Sequence, residues 1–123
     1  MTISTEVATT RHLLHAADTD IAAFFDFFDD NCTFRMGNNP VIHGRDNIAT
    51  WVAGYLGNVA SMEHHIIEEW HAETVAALRV DVTYTMRSGE RITLPAVTRT
   101  TVENNKITEY LIFIDASPII AAS

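Results

Sequence analysis

The stretch from Val75 to Ile114 constrains the fold more than any other part of the chain. It reads VAALRVDVTYTMR-SG-ERITLPAVTRTTV-ENN-KITEYLIFI. Val, Ile, Thr and Tyr dominate it, which suits a pleated surface and predicts three strands. Ser88-Gly89 and Glu103-Asn104-Asn105 supply the turns between them, because Gly and Asn tolerate positive φ. Side chains alternate along a strand. Leu78, Val80, Val82, Tyr84 and Met86 therefore share one side of the first strand, and Arg79, Asp81, Thr83 and Thr85 the other. Two orientations are open. If helices cover the polar side, Arg79 and Asp81 form a buried pair on a cavity wall. In the mirror arrangement the aliphatic side meets the helices and the pair is solvated.

The residues before this stretch supply the helices. Ser4 or Thr5 caps a first helix that runs to about Ala17, with Val7, Arg11 and Leu14 at helical spacing. Asp18-Thr19-Asp20 breaks and recaps it. The segment IAAFFDFFDD predicts a second helix with Ile21, Phe24, Phe25 and Phe28 on one side. Cys32 to Met36 predicts a short strand, and Gly37-Asn38-Asn39-Pro40 a loop. A third helix follows His43-Gly44-Arg45, with Asp46 as N-cap and Ile48, Trp51, Val52 and Tyr55 as its buried stripe. Gly57-Asn58 ends it. Met62 to His71 predicts another strand, closed onto Thr74 by a turn at Ala72-Glu73. The order α-α-β-α-β-β-β-β points to an α+β fold, a curved antiparallel sheet wrapped as a cone around three N-terminal helices, with an apolar cavity open at one end.

With 123 residues the chain is expected to form a single domain over 1–123. Eight basic residues stand against 16 acidic ones, a formal net charge of −8. That balance lacks the basic footprint of a nucleic-acid or anionic-membrane binder. The apolar runs are too short to span a bilayer, and the N-terminal MTISTEVATTRHLLHAA has no basic segment before an apolar one. A cytoplasmic protein without signal peptide or membrane contact is expected. Cys32 is the only cysteine, so an internal disulfide is excluded and an inert buried thiol is expected. No nucleotide loop, nucleophile elbow or metal motif is present. His64 and His65 point to opposite faces of a strand, and His12 and His15 lack a nearby carboxylate. The site is therefore expected to need neither metal nor cofactor.

The segment from HGRD through YTMRSGERITLP to NNKITEYLIFIDASP resembles the SnoaL-like branch of the nuclear-transport-factor-2-like superfamily, over nearly the whole chain. Ketosteroid isomerases, polyketide cyclases, scytalone dehydratase and limonene epoxide hydrolase share that fold. The motif match runs nearest to limonene epoxide hydrolase, at Arg79-Val80-Asp81, Gly44-Arg45-Asp46 and Asn105-Lys106-Ile107-Thr108. The resemblance implies that Arg79 and Asp81 line the pocket. It also sets apolar residues at three of that family's active-site positions: Ile112 for a second catalytic Asp, and Phe34 and Met36 for the Tyr and Asn that hold a water.

With Arg79 and Asp81 inward, the expected turns place His64 opposite Asp81 and Met62 opposite Thr83. They place Ala96 beside Asp81, Thr98 beside Arg79, Ile112 beside Ala96 and Tyr110 beside Thr98. The expected catalytic cluster is Asp81, Arg79, His64 and Tyr110. The expected substrate-binding wall is Phe34, Met36, Thr83, Leu94, Ala96, Thr98, Ile112 and Ile114. Such a wall suits proton transfer on a small hydrophobic molecule, with Asp81 and His64 as base and orienter and Tyr110 facing a developing enolate. Isomerisation, cyclisation or dehydration is the expected chemistry. Epoxide hydrolysis and non-catalytic ligand binding are the alternatives. The other sheet face, with Val80, Val82, Tyr84, Met86, Val97, Leu111 and Phe113, is then expected to pair two copies back to back as a homodimer.

Overall fold

The computed structural model describes residues 4–123, so the first three positions of the N-terminal stretch read above lie outside the described residues. Helix α1 (Thr5–Thr19) starts where Ser4 Oγ accepts a hydrogen bond from the Val7 amide at 3.1 Å. It buries Val7, Thr10, Leu13 and Leu14. Asp20 recaps α2 (Ile21–Asp26) by accepting from the Ala22 and Ala23 amides. This helix is shorter than expected. Strand β1 (Phe28–Met36) begins four residues early, and the Phe27 carbonyl accepts from the Ile107 amide at 2.8 Å. Pairing to a neighbouring strand takes over the backbone groups that another helical turn would have satisfied. Phe24, Phe25 and Phe28 still pack edge to face.

A two-residue strand β2 (Ile42–His43) leads to α3 (Arg45–Tyr55), whose N-cap is Gly44 at φ +89° rather than Asp46. Four long strands follow: β3 (Val59–Ala72), β4 (Val75–Met86), β5 (Arg91–Glu103) and β6 (Lys106–Phe113). A short helix α4 (Ser117–Ala121), absent from the sequence reading, ends the fold. The six strands form one sheet in the order β2-β1-β6-β5-β4-β3. All neighbours are antiparallel except β1 and β6, which run parallel. At the end of β1, Gly37 (φ +55°) donates to the Ile112 carbonyl at 2.8 Å, and a Cβ there would stand 2.9 Å from the Ile114 carbonyl oxygen.

The sheet curves around the helices with the aliphatic side of β4 inward. Ala76, Leu78, Val80, Val82, Tyr84 and Met86 are all buried. Leu78 and Val80 pack with Val7 and Leu14 of α1, whereas Val82, Tyr84 and Met86 pack with Val59 and with Ile119 of α4. This is the mirror arrangement. The expected inward orientation of Arg79 and Asp81 is not observed. Arg79 sits on the convex face with its side chain 52% exposed and bonds Glu68 at 2.8 Å. Asp81 lies opposite His65 and Pro95 on that same outer face. The physical reason is burial: each Leu, Val, Tyr or Met moved from water to the core is worth about 1.5–3 kcal/mol. A buried ion pair would instead have carried a desolvation cost.

The hairpin registers explain the inversion. The β3–β4 turn is Glu73-Thr74, with Ala72 opposite Val75, and a bulge between Ile66 and Glu68 shifts the ladder again. His64 therefore lies opposite Val82 and Met62 opposite Tyr84, not opposite Asp81 and Thr83. A slip of one residue exchanges the two faces. Between β4 and β5 the loop is Arg87–Glu90, four residues rather than two, so Ala96 lies opposite Val80 and Thr98 opposite Leu78. The β5–β6 loop is Asn104-Asn105, both with positive φ as a type I′ turn requires. Thr98 then lies opposite Ile112, and Thr100 opposite Tyr110. Of the residues expected on the outer face, Val80, Val82, Tyr84 and Met86 are buried inside. Val97, Leu111 and Phe113 do face outward, on the same side as Arg79 and Arg99.

Candidate functional site

A cavity of about 50 Å³ lies between the concave sheet face and helices α1, α2 and α3. That is several times the minimum that one water molecule needs. Its wall includes Phe34, Met36, Ala96, Thr98, Tyr110, Ile112, Ile114 and His64, all placed there by the sequence reading. Val80, Val82 and Tyr84 complete the sheet side, and Phe24, Val52 and Tyr55 the helix side. Thr83 is not part of it; its hydroxyl bonds Thr93 at 2.8 Å on the convex face. Leu94 is buried but packs against Ile119 and Val82 rather than lining the cavity. No Arg, Lys, Asp or Glu is among the lining residues. A depression formed by residues 17–21 and by Leu56 and 59–62 shares Ala17, Ile21, Leu56 and Met62 with the cavity.

The polar centre of this wall is a pair that the sequence reading did not assemble. Asp18, in the last turn of α1, accepts from the ring of His64 at Nδ1 (2.6 Å) and from the His64 backbone amide (2.8 Å). Both side chains are largely buried, at 12% exposure for His64 and 17% for Asp18. An ionised carboxylate only accepts, so the pairing puts a proton on Nδ1, and in the neutral ring the Nε2 lone pair is then free. Nε2 has no hydrogen-bond partner among the described residues. The result is a ring fixed in orientation, with Nε2 unpartnered beside an apolar cavity. Asp18 had a signal in the sequence: it extends the spacing Val7, Arg11, Leu14 by one more turn, so the inward stripe of α1 ends on a carboxylate. Arg11 itself pairs with Glu69 of β3.

Three tyrosines complete the polar set. Tyr110 is fully buried among Phe24, Phe28 and Phe34, with ring centroids at 6.2, 5.9 and 5.6 Å. Its side chain borders the cavity. Burial first, and then the nearby Asp18 carboxylate, push its ionisation well above the ordinary phenol range. The Tyr55 and Tyr84 hydroxyls bond each other at 3.0 Å. Burial raises both, far more for Tyr84 than is usual for a phenol. Tyr55 in turn stacks on Trp51, with centroids 5.6 Å apart and planes 9° from parallel. Neutral phenols of this kind donate hydrogen bonds and do not act as bases near neutral pH.

Arg79 and Asp81 are thus separated from His64 and Tyr110 by the thickness of the sheet. Among the described residues no group of three or more His, Cys, Asp or Glu is arranged to hold a metal ion. No described helix is long and apolar enough to cross a membrane.

Helices followed by a six-stranded, strongly curved and unclosed sheet, with a pocket between them, define the NTF2-like class of α+β proteins. A family model for the SnoaL-like domain matches residues 9–110, and the chain belongs to that family. Comparison with functionally curated proteins returns no match. Among solved structures, an NTF2-like protein of unknown function from Burkholderia pseudomallei is similar at TM-score 0.80 and 15% identity, covering 97% of each chain. A Jannaschia sp. CCS1 protein provisionally assigned as a SnoaL-like polyketide cyclase is similar at TM-score 0.83 and 14% identity, covering 99% of this chain and 96% of that one. An M. tuberculosis epoxide hydrolase of the limonene-epoxide-hydrolase-like type is similar at TM-score 0.79 and 14% identity, covering 95% and 87%. At these identities the likeness is one of fold, a fold that hosts several chemistries.

Proposed function

We propose that this protein catalyses general acid–base chemistry on a small apolar molecule, by isomerisation, cyclisation or dehydration, with His64 as the base. The observation that carries this reading is the 2.6 Å bond from Asp18 to His64 Nδ1 beside the apolar cavity. Asp18 orients the ring and stabilises the imidazolium that forms when Nε2 takes a proton. Tyr110 donates to the oxygen on which charge develops. Such groups need no cofactor for proton transfer. Epoxide hydrolysis is the weaker reading, because Phe34, Met36 and Ile112 offer an attacking water no hydrogen bond, and Arg79 and Asp81 face away.

The test is solvent deuterium uptake into enolisable ketones, followed by proton NMR in D2O, with 2-indanone as first substrate. Wild-type protein is expected to exchange the α-hydrogens faster than buffer. His64→Ala abolishes the enhancement and Asp18→Asn lowers it by about 10²–10⁴-fold. Asp81→Asn, on the convex face, leaves it unchanged. Enhancement that survives His64→Ala sinks the proposal, and binding without any exchange returns the chain to the ligand-binding alternative.

The same reading includes a homodimer through the convex sheet face and a cytosolic location. Phe113 and Trp70 are 59% and 48% exposed there. The ion pairs Arg79–Glu68 and Arg99–Glu109 lie among them, a mixed surface that suits a two-fold contact. Light scattering is expected to give twice the 13.7 kDa chain mass. A single-chain particle that is unchanged by Phe113→Glu rules the dimer out.

A further inference from the structure

The cavity carries a second polar station that the base does not use. The two hydroxyls of Tyr55 and Tyr84 hold two hydrogens between them, and one lies in their mutual 3.0 Å bond. Neither hydroxyl has another partner among the described residues, and both residues line the cavity. One donor hydrogen is therefore left over at the wall. Along β4, Tyr84 stands two positions beyond Val82, the residue opposite His64. That is about 7 Å along the strand on the same face. The pair is rigid, since Tyr84 is 3% exposed and Tyr55 stacks on Trp51.

We propose that the Tyr55–Tyr84 hydroxyl pair is the anchor for an oxygen acceptor on the ligand, and that it selects compact, neutral molecules carrying a carbonyl or similar oxygen. The inference rests on the cavity being the working site, and it deepens that reading by naming the ligand class. The lining residues include no Arg or Lys that would neutralise a ligand anion, and the carboxylate of Asp18 repels one. A hydrocarbon of the same shape would leave the spare donor unpaired in an apolar site, which is costly. A neutral carbonyl meets both conditions. Burial keeps the two phenols protonated, so the anchor persists across the neutral range.

The experiment compares three probes of one skeleton: 2-indanone, indane and indane-2-carboxylate. Binding is measured by ligand-observed NMR titration on wild type, on the Tyr55→Phe/Tyr84→Phe double variant and on His64→Ala. The double variant is expected to weaken 2-indanone by about 10-fold and to leave indane within about twofold. His64→Ala keeps the ketone bound, which separates failure of the anchor from failure of the base. In wild type, the infrared carbonyl stretch of bound 2-indanone moves to lower frequency than in an apolar solvent, a readout that stands even if the double variant does not fold. Equal losses for ketone and hydrocarbon, an unshifted carbonyl stretch, a carboxylate that binds as tightly as the ketone, or no saturable binding of the ketone would each overturn the anchor.

Discussion

Alkali is the perturbation that reads the interior of this protein most directly. The chain has three tyrosines, and burial raises the ionisation of all of them. Tyr84 and Tyr110 are 3% and 2% exposed. In the unfolded chain both phenols ionise near the ordinary value of 10.0. A group whose folded value is raised contributes stability that is intact below its unfolded value and is lost as pH rises above it. Each retained proton then costs about 1.4 kcal/mol per pH unit, so the two buried phenols together remove about 3 kcal/mol per unit above pH 10. By pH 12 the loss is about 5 kcal/mol, against about 5–15 kcal/mol for a whole domain. Cys32, pushed up to about 12 from 9.0 by burial, acts in the same direction. The assay is absorbance at 295 nm for phenolate and far-ultraviolet circular dichroism for fold, titrated together from pH 8 to 13. The phenolate of Tyr84 and Tyr110 is expected to appear in one step with the loss of ellipticity, above pH 10. If that phenolate signal develops around pH 10 while the ellipticity stays native, the burial assigned to these hydroxyls is wrong.

Thr10 and Thr100 make an asymmetric test. Thr10 Oγ1 donates to the Glu6 carbonyl at 2.7 Å and bonds Thr100 Oγ1 at 2.7 Å, with both residues at 0% exposure. Thr10→Val strands the Thr100 hydroxyl and is expected to cost about 1–3 kcal/mol in urea denaturation, whereas Thr100→Val leaves Thr10 satisfied and costs about 1 kcal/mol or less; equal costs would contradict the bonding scheme. Phe28, at 0% exposure between Phe24, Phe25 and Tyr110, is expected to cost about 3–5 kcal/mol as Phe28→Ala, measured by the same denaturation. Cys32 is expected to ignore a disulfide-exchange reagent at pH 8 in native protein and to react fully in denaturant.

The alternation of β4 told which residues share a face but not which face meets the helices. Both packings satisfy period two, and the choice hung on the parity of two turns. Reading the first turn at Ala72-Glu73 instead of Glu73-Thr74 shifted the β3–β4 register by two, and the bulge between Ile66 and Glu68 then took back one. Neither Glu73-Thr74 nor a bulge at Ile67 has a strong sequence signature. Asn104-Asn105 does, and it lies at the observed turn. The resemblance in Arg79-Val80-Asp81 then favoured the wrong parity, because a three-residue match carries no information on register. His64 and Tyr110 survived because their strands slipped with their partners. The walls at Phe34, Met36, Ala96, Thr98, Ile112 and Ile114 survived because the β4–β5 register moved by one as the face of β4 inverted, which left β5 and the strands beyond it facing as expected. Asp18 stayed hidden because a carboxylate beside Thr19 and Asp20 looks like helix punctuation, and only the folded chain brings it to a histidine 46 positions away.

The Asp18 carboxylate grips one residue twice, by its ring and by its main-chain amide. That double grip fastens the end of α1 to β3 beside the depression that adjoins the cavity. One carboxylate therefore sets both the seat of the helix end and the angle of the ring, so a shift of the α1–α2 corner large enough to break one contact would loosen the other.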